Sequence, residues 1–242
     1  MKFAYDLHIH SCLSPCGDAQ MTPNNVVGLA KLAGLEVIAL TDHNSCKNAG
    51  AAIEIGDHFD ILVLPGMELN TAEEIHVLCL FDDLENAMAF DAYVETKLQK
   101  VQNEIEIFGN QTVMDSDDNE TAEYPWLLTM ATDISIEETK ELVERYGGVA
   151  VPAHINRDSY SLLTVLGTVP EELGFKTVEV SRQGGRDKIA SLYPEILERY
   201  GVLENSDAHY MENIPDPKIH IELSELTRRA VLNAIRIGRI TI

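Results

Sequence analysis

The feature that most constrains this chain recurs along it: short apolar runs lead into histidine, aspartate or glutamate. In the first, Phe3, Tyr5, Leu7 and Ile9 fall on one face of a strand, with Asp6, His8 and His10 on the other. Val37 to Leu40 leads into Thr41-Asp42-His43, and Ile61 to Leu64 into Pro65-Gly66-Met67-Glu68. Ile75 to Leu80 contains His76, and Val149 to Ala153 ends at His154. Thr177 to Val180 leads to Ser181-Arg182, and Val202 to Asn205 to Ser206-Asp207-Ala208-His209. Helical patterns separate most of these runs. The alternation predicts repeated βα units and a largely parallel sheet. In such a sheet or barrel the C-terminal strand ends converge on one rim, so residues distant in sequence surround one pocket.

The helices announce their own ends. Thr22-Pro23 is a cap followed by a proline at the first helical position, and Gly34 stops that helix. Ser135-Ile136-Glu137-Glu138 is a capping box, and Gly147-Gly148 closes the helix it opens. A long helical stretch is predicted from Leu84 to Phe108, and a final helix from Ser224 to Ile237. Asn110 to Tyr124 is acidic and polar, which marks an exposed insertion or lid near 109–134. With 242 residues and no internal linker, the chain reads as one α/β domain over 1–242.

Charge narrows the partners. Forty acidic against 18 basic side chains give a formal net charge of −22. That surface repels phosphate backbones and anionic membranes unless a local patch reverses the field. Bound divalent cations offset only a fraction of it. No apolar run approaches the ~18 residues of a membrane span. The opening MKFAYDLHIH has no basic start followed by an apolar stretch. Cys12, Cys16, Cys46 and Cys79 are scattered without zinc-finger spacing, as expected of reduced thiols in a cytoplasmic protein.

The chemistry resides in the strand ends. His8 and His10 project from one face of a strand about 7 Å apart, close enough to share a cation with a carboxylate. Asp207-Ala208-His209 repeats the arrangement. Each motif alone is compatible with packed histidines or an acidic turn. Six of eight histidines at such positions are not explained by packing.

Jointly, Asp6-Leu7-His8-Ile9-His10-Ser11, Thr41-Asp42-His43, Gly66-Met67-Glu68, His76, Pro152-Ala153-His154 and Ser206-Asp207-Ala208-His209 resemble the PHP (polymerase and histidinol phosphatase) family of metal-dependent phosphoesterases. The resemblance implies a distorted (β/α)7 TIM-like barrel with a trinuclear metal centre at the C-terminal ends of the strands. It implies a first cation on His8, His10, Glu68 and Asp207. Glu68 then bridges to a second, completed by His76 and His154, and His43 and His209 hold a third. Pro15 stands where many members have a further aspartate, so Asp18 is expected to take that role across a short insertion. Cys16 is the competing ligand, its plain alternative being a reduced loop cysteine.

Imidazole and carboxylate ligands suit two to three Zn²⁺, Mn²⁺ or Fe²⁺ ions, and nitrogen-rich sites disfavour Mg²⁺ alone. Clustered cations activate a hydroxide for attack on phosphorus near neutral pH. The expected activity is hydrolysis of a phosphomonoester of a small metabolite or nucleotide. Glu68, Asp207 and His209 form the catalytic centre, as ligands first, and Arg157 and Arg182 grip phosphate oxygens. Arg186 and Lys188 are weaker candidates. Two alternatives stand beside this reading, a phosphodiesterase or 3′–5′ exonuclease and a non-catalytic metal-stabilised module. His58 reads as a surface residue and His220 as a strand-face residue. The Asp115–Asp118 run lacks calcium-loop spacing, and Tyr124 and Trp126 shape either a lid or a core. The sequence leaves the oligomeric state open.

Overall fold

A computed structural model describes residues 1–182 and 184–240. Its strands are β1 (Lys2–Ile9), β2 (Val37–Leu40), β3 (Leu62–Asn70), β4 (His76–Leu80), β5 (Thr112–Met114), β6 (Glu120–Glu123), β7 (Val149–Pro152), β8 (Thr177–Ser181), β9 (Gly201–Asn205) and β10 (His220–Glu222). The helices are α1 (Pro23–Ala33), α2 (Ala49–Phe59), α3 (Leu84–Lys97), α4 (Ile105–Phe108), α5 (Ile136–Arg145), α6 (Leu162–Leu166), α7 (Gly185–Leu192), α8 (Pro194–Arg199) and α9 (Arg228–Arg236).

Six strands form one sheet in the order β10-β1-β2-β3-β4-β7, and β8 pairs with β9 in parallel. Two backbone links tie that pair to the larger sheet. Ile155, just past β7, donates its N–H to Glu179 O on β8 at 2.9 Å, and Ile9 on β1 bridges Ala208 beyond β9. The result is a mixed α/β fold on a curled sheet.

The sheet is less parallel than its sequence suggests. β1, β2 and β3 run parallel, but β4 is antiparallel to both β3 and β7. The cause is the connection between β3 and β4. Only the turn at Thr71–Ile75 joins them, closed by Thr71 N–H to Ile75 O at 3.0 Å. A parallel return needs a crossover of about a dozen residues or more. The β10 strand is also antiparallel, with Phe3 opposite Ile221.

Alternate faces feed different cores. Phe3, Tyr5 and Leu7 pack with Val37, Leu64, Leu78 and Val151, and α9 brings Val231, Leu232 and Ile235 onto them. A register shift between Asp6 and Ile9 turns Ile9 away from that set. Ile9 instead packs with Val26, Val27, Ile38 and Ile55 beneath α1 and α2. Continuous apolar strands such as Val37–Leu40, buried throughout, are the expected signature of strands covered on both faces.

The helix signals hold in place. Thr22 Oγ1 accepts from Asn25 N–H, Gly34 closes α1 in the left-handed conformation, and Ser135 Oγ accepts from Glu138 N–H at the start of α5. The Leu84–Phe108 helix does not persist. α3 ends at Lys97, after which Leu98 and Gln102 form antiparallel bridges to Thr132 and Trp126. The final helix starts at Arg228, capped by Thr227 rather than near Ser224. The acidic 110–124 stretch contains the β5–β6 hairpin, anchored by Thr112 N–H on Cys12 O. Its base is buried, since Tyr124 packs with Leu13, Leu98 and Leu128.

Candidate metal centre

The strand ends bring His8, His10, His43, Glu68, His76, His154, Asp207 and His209 into one cluster. Glu68, on β3, is its hub. Its carboxylate lies 2.9 Å from His76 Nδ1, 3.0 Å from His43 Nδ1 and His154 Nε2, and 3.3 Å from His8 and His10 Nε2. Asp207 Oδ1 approaches the same two nitrogens, 3.2 Å from His8 and 3.0 Å from His10. The His8 and His10 Nε2 atoms are 3.1 Å apart. The His209 ring stacks on His10 with centroids 4.0 Å apart.

These side chains form three groups able to hold an ion: His8, His10, Glu68 and Asp207; His43, Glu68 and His76; and His10, His43 and His209. The residues fit a cation on their own chemistry. Among the described residues, His43 Nδ1, His154 Nδ1 and Asp207 Oδ1 are buried and lack a well-directed hydrogen bond. Two of these lie beside oppositely charged or polar atoms at short range, yet with poor hydrogen-bond angles. Ligand atoms aimed at a common point rather than at each other have this geometry.

The electrostatics follow from packing imidazoles against two buried carboxylates. Burial opposes ionisation of Glu68, but His76, His8 and His43 hold it well below the ordinary carboxylate range. Burial likewise opposes Asp207, which His8 and His10 keep ionised. For His8 burial opposes protonation, yet Glu179, Asp207 and Glu68 raise it well above the usual imidazole value. His10 and His43 are raised to about 9 against the same burial, by Asp207 and Glu68 for the former and chiefly Glu68 for the latter. Burial wins at His76, lowered to about 4, and at His209, lowered to about 3. The carboxylates thus attract positive charge, and the neighbouring rings cannot all supply it as protons.

Backbone geometry marks two of these residues. His154 has φ 28° and Asp207 φ 54°, in the left-handed region that side chains other than glycine's seldom enter. Both sit just past a strand end, where the chain must swing a side chain into the cluster.

Two expected ligands fall outside the three groups: His154, whose Nε2 still lies 3.0 Å from Glu68, and Asp18. The Asp18 N–H donates to His209 O at 2.9 Å, which brings its backbone to the site. Its carboxylate accepts from Gln20 N–H at 2.7 Å and joins none of the three groups among the described residues. Cys16 is exposed, with its side chain turned toward His43. Arg157 Nη1 pairs with Asp207 Oδ2. Arg182 Nη2 donates to Asp216 O at 2.8 Å, while its Nη1 is buried and has no partner among the described residues. Both arginines line a cavity of about 800 Å³ that opens beside Asp207. Lys188 lines it too but is engaged with Asp158, and Arg186 pairs with Glu204. His58 is exposed on α2, and His220 lies on β10.

Sequence reasoning missed Tyr160 and Glu179, and it named Asp42 as a metal-capable strand-end residue without its role as an acceptor. Asp42 accepts from Ser11 N–H, Ser11 Oγ and Ser14 Oγ at 2.6–2.7 Å, and Ser14 Oγ in turn meets His10 Nδ1 at 2.9 Å. Tyr160 stacks on His76 with centroids 4.6 Å apart. Glu179, on β8, meets His8 Nδ1 at 2.9 Å. A charge inside the apolar run Thr177-Val178-Glu179-Val180 was the available signal for the last, and Tyr160 had none.

The PHP domain family matches residues 6–153. The chain belongs to the PHP domain family. The match ends one residue short of His154, and the fold carries His154, Glu179, Asp207 and His209 back to the same centre. The His/Glu/Asp cluster of this PHP-domain chain can hold divalent metal. An uncharacterised protein of Methanocaldococcus jannaschii is 32% identical over 99 residues, covering 37% of this chain and 58% of that one. The lesion-specific endonuclease Q of Pyrococcus furiosus superposes with TM-score 0.72 at 20% identity, over 98% of this chain and 56% of its own. A protein of Bifidobacterium adolescentis, proposed to be a metal-dependent phosphoesterase, gives TM-score 0.63 at 19% identity, over 96% and 94%. The PHP-domain chain thus spans little more than half the length of the first two. Among the described residues, no helix is long and apolar enough to cross a membrane.

Proposed function

We propose that this PHP-domain protein hydrolyses a phosphomonoester of a small metabolite or nucleotide. The observation that carries this reading is the juxtaposition of the Glu68–Asp207 cluster with a cavity of about 800 Å³ that Asp207 lines together with Arg157 and Arg182. Phosphate at the cluster would leave that cavity for the organic part of the substrate. Two to three Zn²⁺, Mn²⁺ or Fe²⁺ ions, when bound, would neutralise charge on phosphorus and acidify a water for attack. His8, His10, Glu68 and Asp207 would hold the first, Glu68, His76 and His154 the second, and His43, His209 and Asp18 the third, with Cys16 as the alternative to Asp18. Arg157, at the junction of cluster and cavity, would hold a phosphate oxygen alongside Asp207. Arg182 would orient the far side of the substrate. No side-chain nucleophile is required.

The same reading takes the curled sheet as a distorted (β/α)7 barrel within one cytoplasmic domain, with 109–134 as a lid over the Cys12–Leu13 loop. The second reading is a nuclease, and the likeness to endonuclease Q favours it. The net charge of −22 and the acidic Asp158, Glu212 and Asp216 lining the cavity oppose a polyanionic substrate.

The test compares p-nitrophenyl phosphate, bis-p-nitrophenyl phosphate and a labelled single strand, each with added Mn²⁺ or Zn²⁺. Monoester turnover without the others is the expected result. Turnover of the diester or the strand alone would replace the first reading with the second. Full metal loading with no turnover of any would leave a binding module.

A further inference from the structure

Glu179 is a fully buried carboxylate outside the ligand set, and every oxygen it carries is used. Oε1 lies 2.9 Å from His8 Nδ1 and accepts from Asn205 Nδ2 at 2.8 Å. Oε2 lies 3.2 Å from His8 Nδ1 and accepts the His154 backbone N–H at 2.7 Å. Its own backbone carbonyl accepts from Ile155 N–H at 2.9 Å. Asn205 completes the array by accepting Leu7 N–H on its Oδ1 at 2.9 Å. One side chain therefore ties together the ends of β1, β7, β8 and β9.

Two of these contacts reach the metal cluster by different routes. The His8 ring presents Nε2 to Glu68, Asp207 and His10 and Nδ1 to Glu179. A hydrogen bond from Nδ1–H to a carboxylate fixes the tautomer, aims the other nitrogen and raises its basicity as a ligand. His154 is held through its main chain, at the residue whose φ of 28° needs a restraint. His154 Nε2 then meets Glu68. His10 is served separately, through Ser14 and Asp42.

We propose that Glu179 is a positioning residue that couples the first and second metal positions, setting His8 by its ring and His154 by its backbone. The proposal rests on the metal-centre reading above. It predicts that Glu179→Gln weakens metal at both positions together. Glutamine keeps the size but loses the charge, which weakens the contacts to His8 and to the His154 N–H alike, and its N–H donor further opposes one of them. The position held by His43 and His209, which Glu179 does not touch, should be spared.

The experiment measures zinc and manganese affinity by chelator competition, with metal content, in wild type, Glu179→Gln and Ser14→Ala. Far-UV circular dichroism and thermal melts of the metal-free proteins report folding. The expected result is a fall in affinity of about 10–100-fold for two ions in Glu179→Gln, with folding intact. The loss in kcat should be recovered by excess metal while the affinity stays weak. Ser14→Ala, whose hydroxyl meets His10 Nδ1 and the His43 N–H but neither His8 nor His154, should instead spare the position completed by His76 and His154. Unchanged affinity in Glu179→Gln, or loss confined to one ion, would overturn the proposal. A long-range proton–nitrogen spectrum of the zinc-loaded wild type needs no variant and covers the case of misfolding. His8 should carry its proton on Nδ1 and coordinate through Nε2, and the reverse would overturn the proposal. A wild-type protein that takes up no divalent ion would instead overturn the metal-centre reading itself.

Discussion

At the scale of single residues, the cluster is organised around Glu68. Because five imidazoles converge on its two oxygens, removing its charge cannot be a local event. Glu68→Gln is expected to lower metal content at two positions and to cost more activity than the ~10–100-fold typical of a supporting partner. Metal analysis beside a monoester assay checks this, and full content with full rate would remove the bridging role. The imidazoles give a second expectation. His10 and His43 are raised to about 9, so at pH 7.5 the metal-free protein carries protons on both. Ligation requires the neutral ring, so metal uptake must expel them. Adding zinc in weak buffer should acidify the solution at pH 7.5 and release fewer protons above pH 9; a pH-independent yield would contradict this. Most of these residues were legible in the sequence because a polar side chain ends an apolar run. Glu179 was not, since one acidic residue inside a strand looks like an outward-facing position until the opposite face is seen to be covered.

At the scale of elements, strand positions were readable and strand directions were not. Periodicity places Ile75–Leu80 in a strand but carries no sign, and the short Thr71–Ile75 turn reverses it. The helix from Leu84 was readable but not its end, because Leu98 and Gln102 are taken up by contacts with Thr132 and Trp126 from a later part of the chain. The antiparallel β3–β4 pair matters because it delivers both Glu68 and His76. Gly66 lies where neighbouring atoms come close. A β-carbon there would sit 2.9 Å from Leu80 Cδ2, 2.9 Å from Thr41 Cγ2 and 3.1 Å from Cys79 O. Gly66→Val is therefore expected to cost about 1–3 kcal/mol, the usual range for overpacking. It should also lower metal content, because Glu68 is two residues along the same strand. Urea denaturation with metal analysis tests both, and stability equal to wild type would show that the pair opens freely.

At the scale of the whole molecule, the ligands span His8 to His209 and meet only when the sheet has curled. Divalent ions therefore bind the native state far better than the unfolded chain. At metal concentrations a hundredfold above Kd, one site contributes about 2.7 kcal/mol. For a chain of this size that corresponds to a fall of roughly 5–10 °C in Tm on chelation. Differential scanning calorimetry with and without EDTA measures it, and re-addition of Mn²⁺ or Zn²⁺ should restore the transition. An unchanged melting point in protein shown to have carried metal would mean that the ions contribute nothing to holding the rim together.

The left-handed corners at His154 and Asp207 have a consequence for descent as well as for chemistry. Each holds a larger side chain where glycine would rest at ease, so the cluster is maintained there against a standing conformational toll. A lineage that gave up catalysis would gain by relaxing both corners. Glycine at these two places in a sister sequence would therefore serve as a fossil mark of an enzyme turned scaffold.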